Sequence, residues 1–162
     1  ELLRDRFGYP LCVILLLDRE KEELYVKQIV GRGFEEVKDL RFRVGLDGIV
    51  GWVARTGEPY YAPDVSKDSK YIIGLPHVKS EAAFPLKIRE QVIGVLDVES
   101  DEPMGFDEED LKVLASLASQ VSIFISSIEA DTQRPQAGSG SDGSGREIEG
   151  HGRDGQRCGS RL

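Results

Sequence analysis

The sequence predicts an α+β domain with a central antiparallel β-sheet and helices on both of its faces, and three observations predict it. Two separate pairs of strand-like segments each fold back through a short polar turn. No strand-helix-strand alternation runs between them, and the pattern closes on one long segment of helical period.

The first pair opens with Leu11-Cys12-Val13-Ile14-Leu15-Leu16-Leu17, continuously apolar between Pro10 and Asp18, as in a strand covered on both faces. Cys12 reads as a small core residue. The mostly charged residues 18–23 turn the chain, and Leu24, Val26, Gln28 and Val30 then alternate with Tyr25, Lys27 and Ile29 up to Gly31. Residues 46–56 follow with helical spacing through Ile49, Trp52 and Val53, with Asp47 placed as an N-cap, Gly57 as the stop and Pro59 beyond it. Gly48 and Gly51 let this helix approach whatever lies beneath. In the second pair Ala82, Phe84, Leu86 and Ile88 alternate with Ala83, Pro85 and Lys87, residues 89–91 turn, and residues 92–99 return. Pro85 lacks an N–H and requires an edge or a bulge.

In the last element Leu111, Leu114, Ala118, Val121, Ile125 and Ile128 recur at steps of three and four, behind acidic residues 107–110 that suit the positive end of a helix. Val113, Leu117 and Phe124 add a second apolar row, and no charged residue occurs from Val113 to Ile128. A helix on a monomer surface carries charge on its outer face, so this one is expected to be covered on more than one side. The heptad seam of those six residues is the expected homodimer interface. The alternative is burial beneath an N-terminal helix, of which residues 1–4 are the remaining end.

Of the 162 residues, 131–162 hold eight of the eighteen glycines, four serines, no aromatic residue and five charges of each sign. Such a segment cannot bury enough to offset its ordering entropy, so it is expected to be a disordered Gly/Ser-rich tail or linker, whether natural, a cloning remnant or an unrelated reading frame. The domain is then residues 1–130, and the net charge of −8 falls wholly on it (24 acidic against 16 basic residues). That balance argues against a nucleic-acid partner, which needs clustered Lys and Arg. No uncharged apolar run reaches the ~18 residues of a membrane span. Two cysteines, Cys12 and Cys158, make neither a disulfide framework nor a zinc site, so the expected compartment is cytoplasmic and no metal is expected.

The stretches Gly48-Ile49-Val50-Gly51-Trp52-Val53-Ala54-Arg55-Thr56-Gly57-Glu58-Pro59, Pro63-Asp64-Val65, Ser80-Glu81-Ala82-Ala83-Phe84-Pro85-Leu86 and Val92-Ile93-Gly94-Val95-Leu96-Asp97-Val98-Glu99-Ser100, followed by Phe106, Asp110 and Leu111, form one ordered pattern. It resembles the GAF domain family over about residues 4 to 130. The resemblance implies a PAS-like fold and a small-molecule-sensing or dimerising module that relays to an output domain outside this chain. Cyclic-nucleotide-binding members carry a Phe-x-x-x-Asp-Glu sequence after Asn-Lys; here Leu111 stands in place of the Glu and the chain has no Asn. Bilin-binding members need a lid cysteine, and none lies between residues 13 and 157. Members that reduce free methionine sulfoxide need thiolates, because reduction passes through a sulfenic acid that a second thiol resolves. Val50 stands where they place one cysteine. The chain is therefore expected not to be an enzyme, and the sequence names no cofactor.

The resemblance places a ligand between the sheet and the segment that runs from the Gly48 helix through the long connection 63–80, which is longer than a turn requires. The expected ligand-binding residues are Trp52, Tyr60, Tyr61 and Phe84 as apolar walls, Asp64, Tyr71, His77 and Ser80 from the connection, and Asp97 amid apolar strand residues. For Trp52 and Phe84 the competing reading is plain core, and for Asp64 a solvated loop charge. Functionally, the expectation is a ligand sensor, with a ligand-free dimerisation module as the alternative and a free methionine sulfoxide reductase-like enzyme as the third and least favoured reading.

Overall fold

A computed structural model describes residues 11–31, 34–72 and 75–132. The expected truncated N-terminal helix and nearly all of the expected tail, Cys158 included, lie outside the described residues.

The first apolar pair forms the hairpin of β1 (Leu11–Asp18) and β2 (Glu23–Gly31). One helical turn, α1 (Phe34–Val37), leads to the short strand β3 (Arg41–Arg43). Helix α2 (Gly48–Thr56) follows, and then the short strand β4 (Tyr60–Ala62). The second hairpin is β5 (Ser80–Ile88) and β6 (Gln91–Ser100), and α3 (Glu108–Thr132) closes the domain. The six strands make one sheet in the order β3-β2-β1-β6-β5-β4, and every pairing is antiparallel. This is the expected α+β architecture, with α2 and the connection after it on one face and α3 on the other.

Alternation along the strands sorts side chains between two cores. Leu11, Val13, Leu15, Ala83 and Val95 point to the α2 side, where Ile49, Val50 and Val53 meet them. Cys12, Ala82, Phe84, Leu86, Leu96 and Val98 point to the α3 side, against Phe106, Leu114 and Ala118. Pro85 lies where β4 has already ended, so its missing N–H faces an unpaired edge, and a register shift follows between Leu86 and Lys87. Ser122 of α3 serves that irregularity: its Oγ accepts from the Lys87 N–H at 3.0 Å and donates to the Ala118 carbonyl at 2.8 Å.

Helix α2 stops as expected, with Gly57 at φ 70° donating its N–H to the Val53 carbonyl. Its start differs. Asp47 occupies the N-cap position but makes no side-chain cap bond; its carboxylate instead receives the Arg43 N–H at 2.8 Å and the Arg43 guanidinium at 2.8 and 2.9 Å. A bidentate cation outcompetes a single backbone donor. Helix α3 begins with the reciprocal arrangement instead, Asp107 accepting from the Asp110 N–H and Asp110 from the Asp107 N–H.

The seam expected to be a dimer interface turns inward. Leu114 and Ala118 are 1% and 2% exposed, and Leu111, Val121 and Ile125 pack half-buried on the same core. Only Ile128 of the six is exposed. The sheet supplies the partner surface that the heptad spacing calls for. Expected cover on the other side is absent within the described residues: Val113, Ile123 and Phe124 stand exposed, Phe124 at 65%. By length and composition Glu108–Ile128 would suffice to cross a membrane, with mean hydropathy 1.6, yet Leu114 and Ala118 hold it against the sheet.

Candidate functional site

A cavity of about 310 Å3 opens on the α2 side of the sheet. Leu11, Val13 and Leu15 of β1 form its apolar bed, Phe42 and Arg41 of β3 one wall, Gly48, Ile49 and Val50 of α2 another, and Tyr71 and Ile72 of the connection its cover. Its floor is acidic: Glu81, Asp97 and Glu99 all line it.

Strand register assembles this trio. Glu81 on β5 stands directly opposite Glu99 on β6, Ala83 stands opposite Asp97, and Asp97 and Glu99 are two residues apart, so all three side chains share one face. Each is more than nine-tenths buried (5%, 7% and 8% exposed). The Glu81 and Asp97 carboxyls lie within hydrogen-bonding reach of each other. Asp97 Oδ1 and Glu99 Oε2 have no partner among the described residues. Burial, and next the Glu99 charge, push the Glu81 carboxyl up to about 8. Burial and the Asp97 charge push Glu99 up to about 8 as well. Asp97 is raised well above its ordinary value by burial first and Glu81 second. No group of three metal-ligating side chains among the described residues is arranged to hold an ion. Two unpartnered acceptors beside a close carboxyl pair are complementary to a group that brings hydrogen-bond donors and positive charge.

Of the nine residues expected to bind ligand, the cavity brings together Tyr71 and Asp97. Trp52 and Tyr60 form a neighbouring cluster, edge to face at 5.1 Å, with the Lys70 ammonium over both rings and the Tyr60 hydroxyl donating to Asp68 at 2.8 Å. Tyr61 and Phe84 belong to the opposite side of the sheet, Tyr61 against Phe106 at 5.7 Å and Phe84 in the α3 core, because their strand positions alternate away from the cavity. Asp64 caps the single turn Val65–Lys67, accepting from the Ser66 N–H and pairing with Lys67. Ser80 is structural: its Oγ donates to the Glu102 carbonyl and accepts from the Gly105 N–H. His77 sits half-buried in the turn between Leu75 and Val78, away from the cavity lining.

Glu81 and Glu99 were not among the expected residues. The signal for them was present, since acids at the inward register of otherwise apolar strands have no solvent to face. Cys12, the one free cysteine among the described residues, lies on the α3 side, and burial, then Asp97, push its thiol up to about 12.

Comparison with known proteins places this geometry in context. A family model described as GAF domain matches residues 1–126. GAF domain-containing protein A of Dictyostelium discoideum is 32% identical over 115 residues, 71% of this chain and 69% of that protein. Among solved structures, the GAF domain of an Acinetobacter phosphoenolpyruvate-protein phosphotransferase superposes with TM-score 0.70 at 26% identity, covering 82% of this chain and 80% of that one. The free methionine-R-sulfoxide reductase of Neisseria meningitidis, in complex with its substrate, superposes with TM-score 0.71 at 28% identity, covering 80% of this chain and 75% of that one. This last similarity overturns the expectation that the chain is not an enzyme. That expectation rested on the missing thiols, nucleophile-base pair and phosphate loop, and gave no catalytic weight to the buried carboxyls of Glu81, Asp97 and Glu99.

Proposed function

The chain belongs to the GAF domain family, and from that premise we propose that it is a small-molecule-binding module whose cavity takes a compact, amino-acid-like ligand by its ammonium group. The observation that carries this reading is the floor of the cavity, where Asp97 Oδ1 and Glu99 Oε2 stand buried and unpartnered beside Glu81. A buried acceptor without a donor costs about 1–3 kcal/mol, and a bound ammonium, with three donors and a positive charge, relieves two such costs at once. Arg41 and the first turn of α2 also line the cavity, and a guanidinium and first-turn N–H groups suit a carboxylate. The volume lies at the lower end of the roughly 300–1,000 Å3 of small-molecule pockets, which favours a ligand of amino-acid size.

Regulation follows from the cover. Tyr71 and Ile72 lie over the cavity, so an occupied pocket favours one placement of the connection, and that difference is what an output domain reads. The exposed apolar face of α3, at Val113, Ile123 and Phe124, supports self-association as the route of transmission. A second reading, chemistry performed on the ligand, is favoured by the similarity to the Neisseria meningitidis reductase.

Titration calorimetry with L-methionine-R-sulfoxide, L-methionine and N-acetyl-L-methionine tests the reading. The two free amino acids bind and the blocked amine does not. Absence of heat from every free amino acid in a wider panel overturns it. The same sulfoxide, incubated with the protein and a dithiol reductant, tests the second reading by the appearance of methionine above the protein-free rate.

A further inference from the structure

Three carboxyls crowd a space in which they cannot all be ionised, and the cavity is therefore a store of protons as well as a binding site. The Glu81 and Asp97 carboxyl groups lie within hydrogen-bonding reach of each other, and because two carboxylates offer acceptors only, a bond between them needs a proton on one. Glu99 sits directly across the strand pair from Glu81 and adds the third acid. Among the described residues, no cation pairs with their carboxyls. Arg41 is the one basic side chain in the lining among the described residues, and its guanidinium lies over the Tyr25 ring at 5.7 Å. Among the described residues, the other titratable groups around the trio are all acids: Asp47 at the start of α2, Tyr71 on the covering connection, Asp68 on the same connection acting on Glu81, and Cys12 of β1 acting with Asp97 from the far side of the sheet.

We propose that the empty cavity holds protons on Glu81, Asp97 and Glu99, and that an ammonium ligand expels them on binding, so that occupancy reports pH together with ligand concentration. The proposal rests on the ligand class inferred above. The step balances simply. The ligand keeps its three ammonium protons, a carboxylic O–H breaks with its electron pair left on oxygen, the proton passes to solvent, and the new carboxylate faces the ammonium. Each proton released makes apparent affinity rise by about tenfold per pH unit until the trio is ionised in the empty state or the ligand's own amine deprotonates.

The experiment is calorimetry of L-methionine and L-methionine-R-sulfoxide at fixed pH in buffers of different ionisation enthalpy, repeated from pH 6 to pH 8. The expected result is release of about one proton or more per ligand at pH 7, a steep rise of affinity with pH, and a smaller release in Glu99→Gln, with Glu81→Gln taking its place should the first variant not fold. Binding with the same enthalpy in every buffer and the same affinity at every pH overturns the proton coupling while leaving the ligand class standing. Carbon-13 NMR titration of the carboxyl groups in the ligand-free protein tests the proton store without any ligand. Midpoints above about pH 6 for the trio support it, and three carboxyls ionised by pH 5 overturn it even if no amino acid binds.

Discussion

Glu81 on β5 stands directly across from Glu99 on β6, two acids of like sign paired inside the sheet, with Ala62 of β4 flanking Glu81 on its other side. Like charges in that position destabilise a sheet unless one of them is neutral. With both carboxyls pushed up to about 8, the folded protein is the form that holds protons at neutral pH.

The sign of the resulting pH dependence is fixed. Between the ordinary carboxylate range near pH 4.5 and about pH 8 the folded chain binds more protons than the unfolded one, so stability is fullest at the acidic end and falls as pH rises through the window. The steepest slope is about 1.4 kcal/mol per pH unit for each group still protonated. Asp18, Asp47 and Asp64, all lowered by hydrogen bonds to neighbouring groups, act in the opposite sense but only below their ordinary range, leaving the window above pH 5 to the buried trio. Thermal melts followed by circular dichroism from pH 5 to pH 8 show a falling Tm, and Glu99→Gln flattens the fall. A Tm that is level or rises over that range means that the trio is already ionised in the fold.

The two sides of α3 separate in their mutational cost. Leu114→Ala removes a fully buried side chain from the α3 core and costs about 2–5 kcal/mol, read as a lowered denaturation midpoint. Phe124→Glu, on the exposed face, leaves the monomer within about 0.5 kcal/mol and acts on association instead. Sedimentation at micromolar concentration shows wild type heavier than one chain and Phe124→Glu shifted toward it. A wild type that sediments as a single chain ends the self-association reading of that face.

Much of this architecture was legible locally. The two hairpins follow from alternation, the end of α2 from Gly57, and the unpaired edge beyond β4 from Pro85. What could not be read was which side of each strand faces which helix. Tyr60 and Tyr61 are neighbours in sequence and so point to opposite faces, one to the Trp52 cluster and one to Phe106. The same alternation sends Phe84 to α3 and Asp97 to the cavity. Glu81 and Glu99 lie far apart in the chain, and only the β5–β6 register makes them one site with Asp97. Heptad spacing in α3 was clear, but spacing alone does not distinguish a second helix from a sheet as the surface it meets.

Gly94 of β6 lies against the backbone of β1 in the centre of the sheet. A Cβ there would sit 2.2 Å from the Leu15 carbonyl oxygen on β1, a backbone atom that cannot swing aside. Gly94→Ala therefore parts β6 from β1 at the strand pair beneath the cavity and costs about 1–3 kcal/mol, with the denaturant midpoint as the readout. An unchanged midpoint would mean that the two strands separate without loss at that point.

Lys70 links the covering connection to the rest of the domain. Its ammonium lies 5.0 Å from the Tyr60 ring centre and 5.7 Å from that of Trp52, while its backbone N–H donates to Asp68, whose other oxygen accepts from the Tyr60 hydroxyl. The next two residues, Tyr71 and Ile72, cover the cavity, so the clasp sets their position. Lys70→Met keeps the length of the side chain and removes its charge, forfeiting a cation–π interaction worth about 0.5–1 kcal/mol at an incompletely buried site. If that energy holds the cover over a bound ligand, affinity for L-methionine falls by about twofold to fivefold, and the loss appears in the dissociation rate. Trp52 is the sole tryptophan of the chain and reports the event directly: its emission shifts in Lys70→Met, and shifts again when wild type binds ligand. Equal dissociation rates for the two proteins, with the emission changed only by the substitution, would reduce Lys70 to a surface contact of Trp52 and leave the cover held by Ile72 and Tyr71 alone.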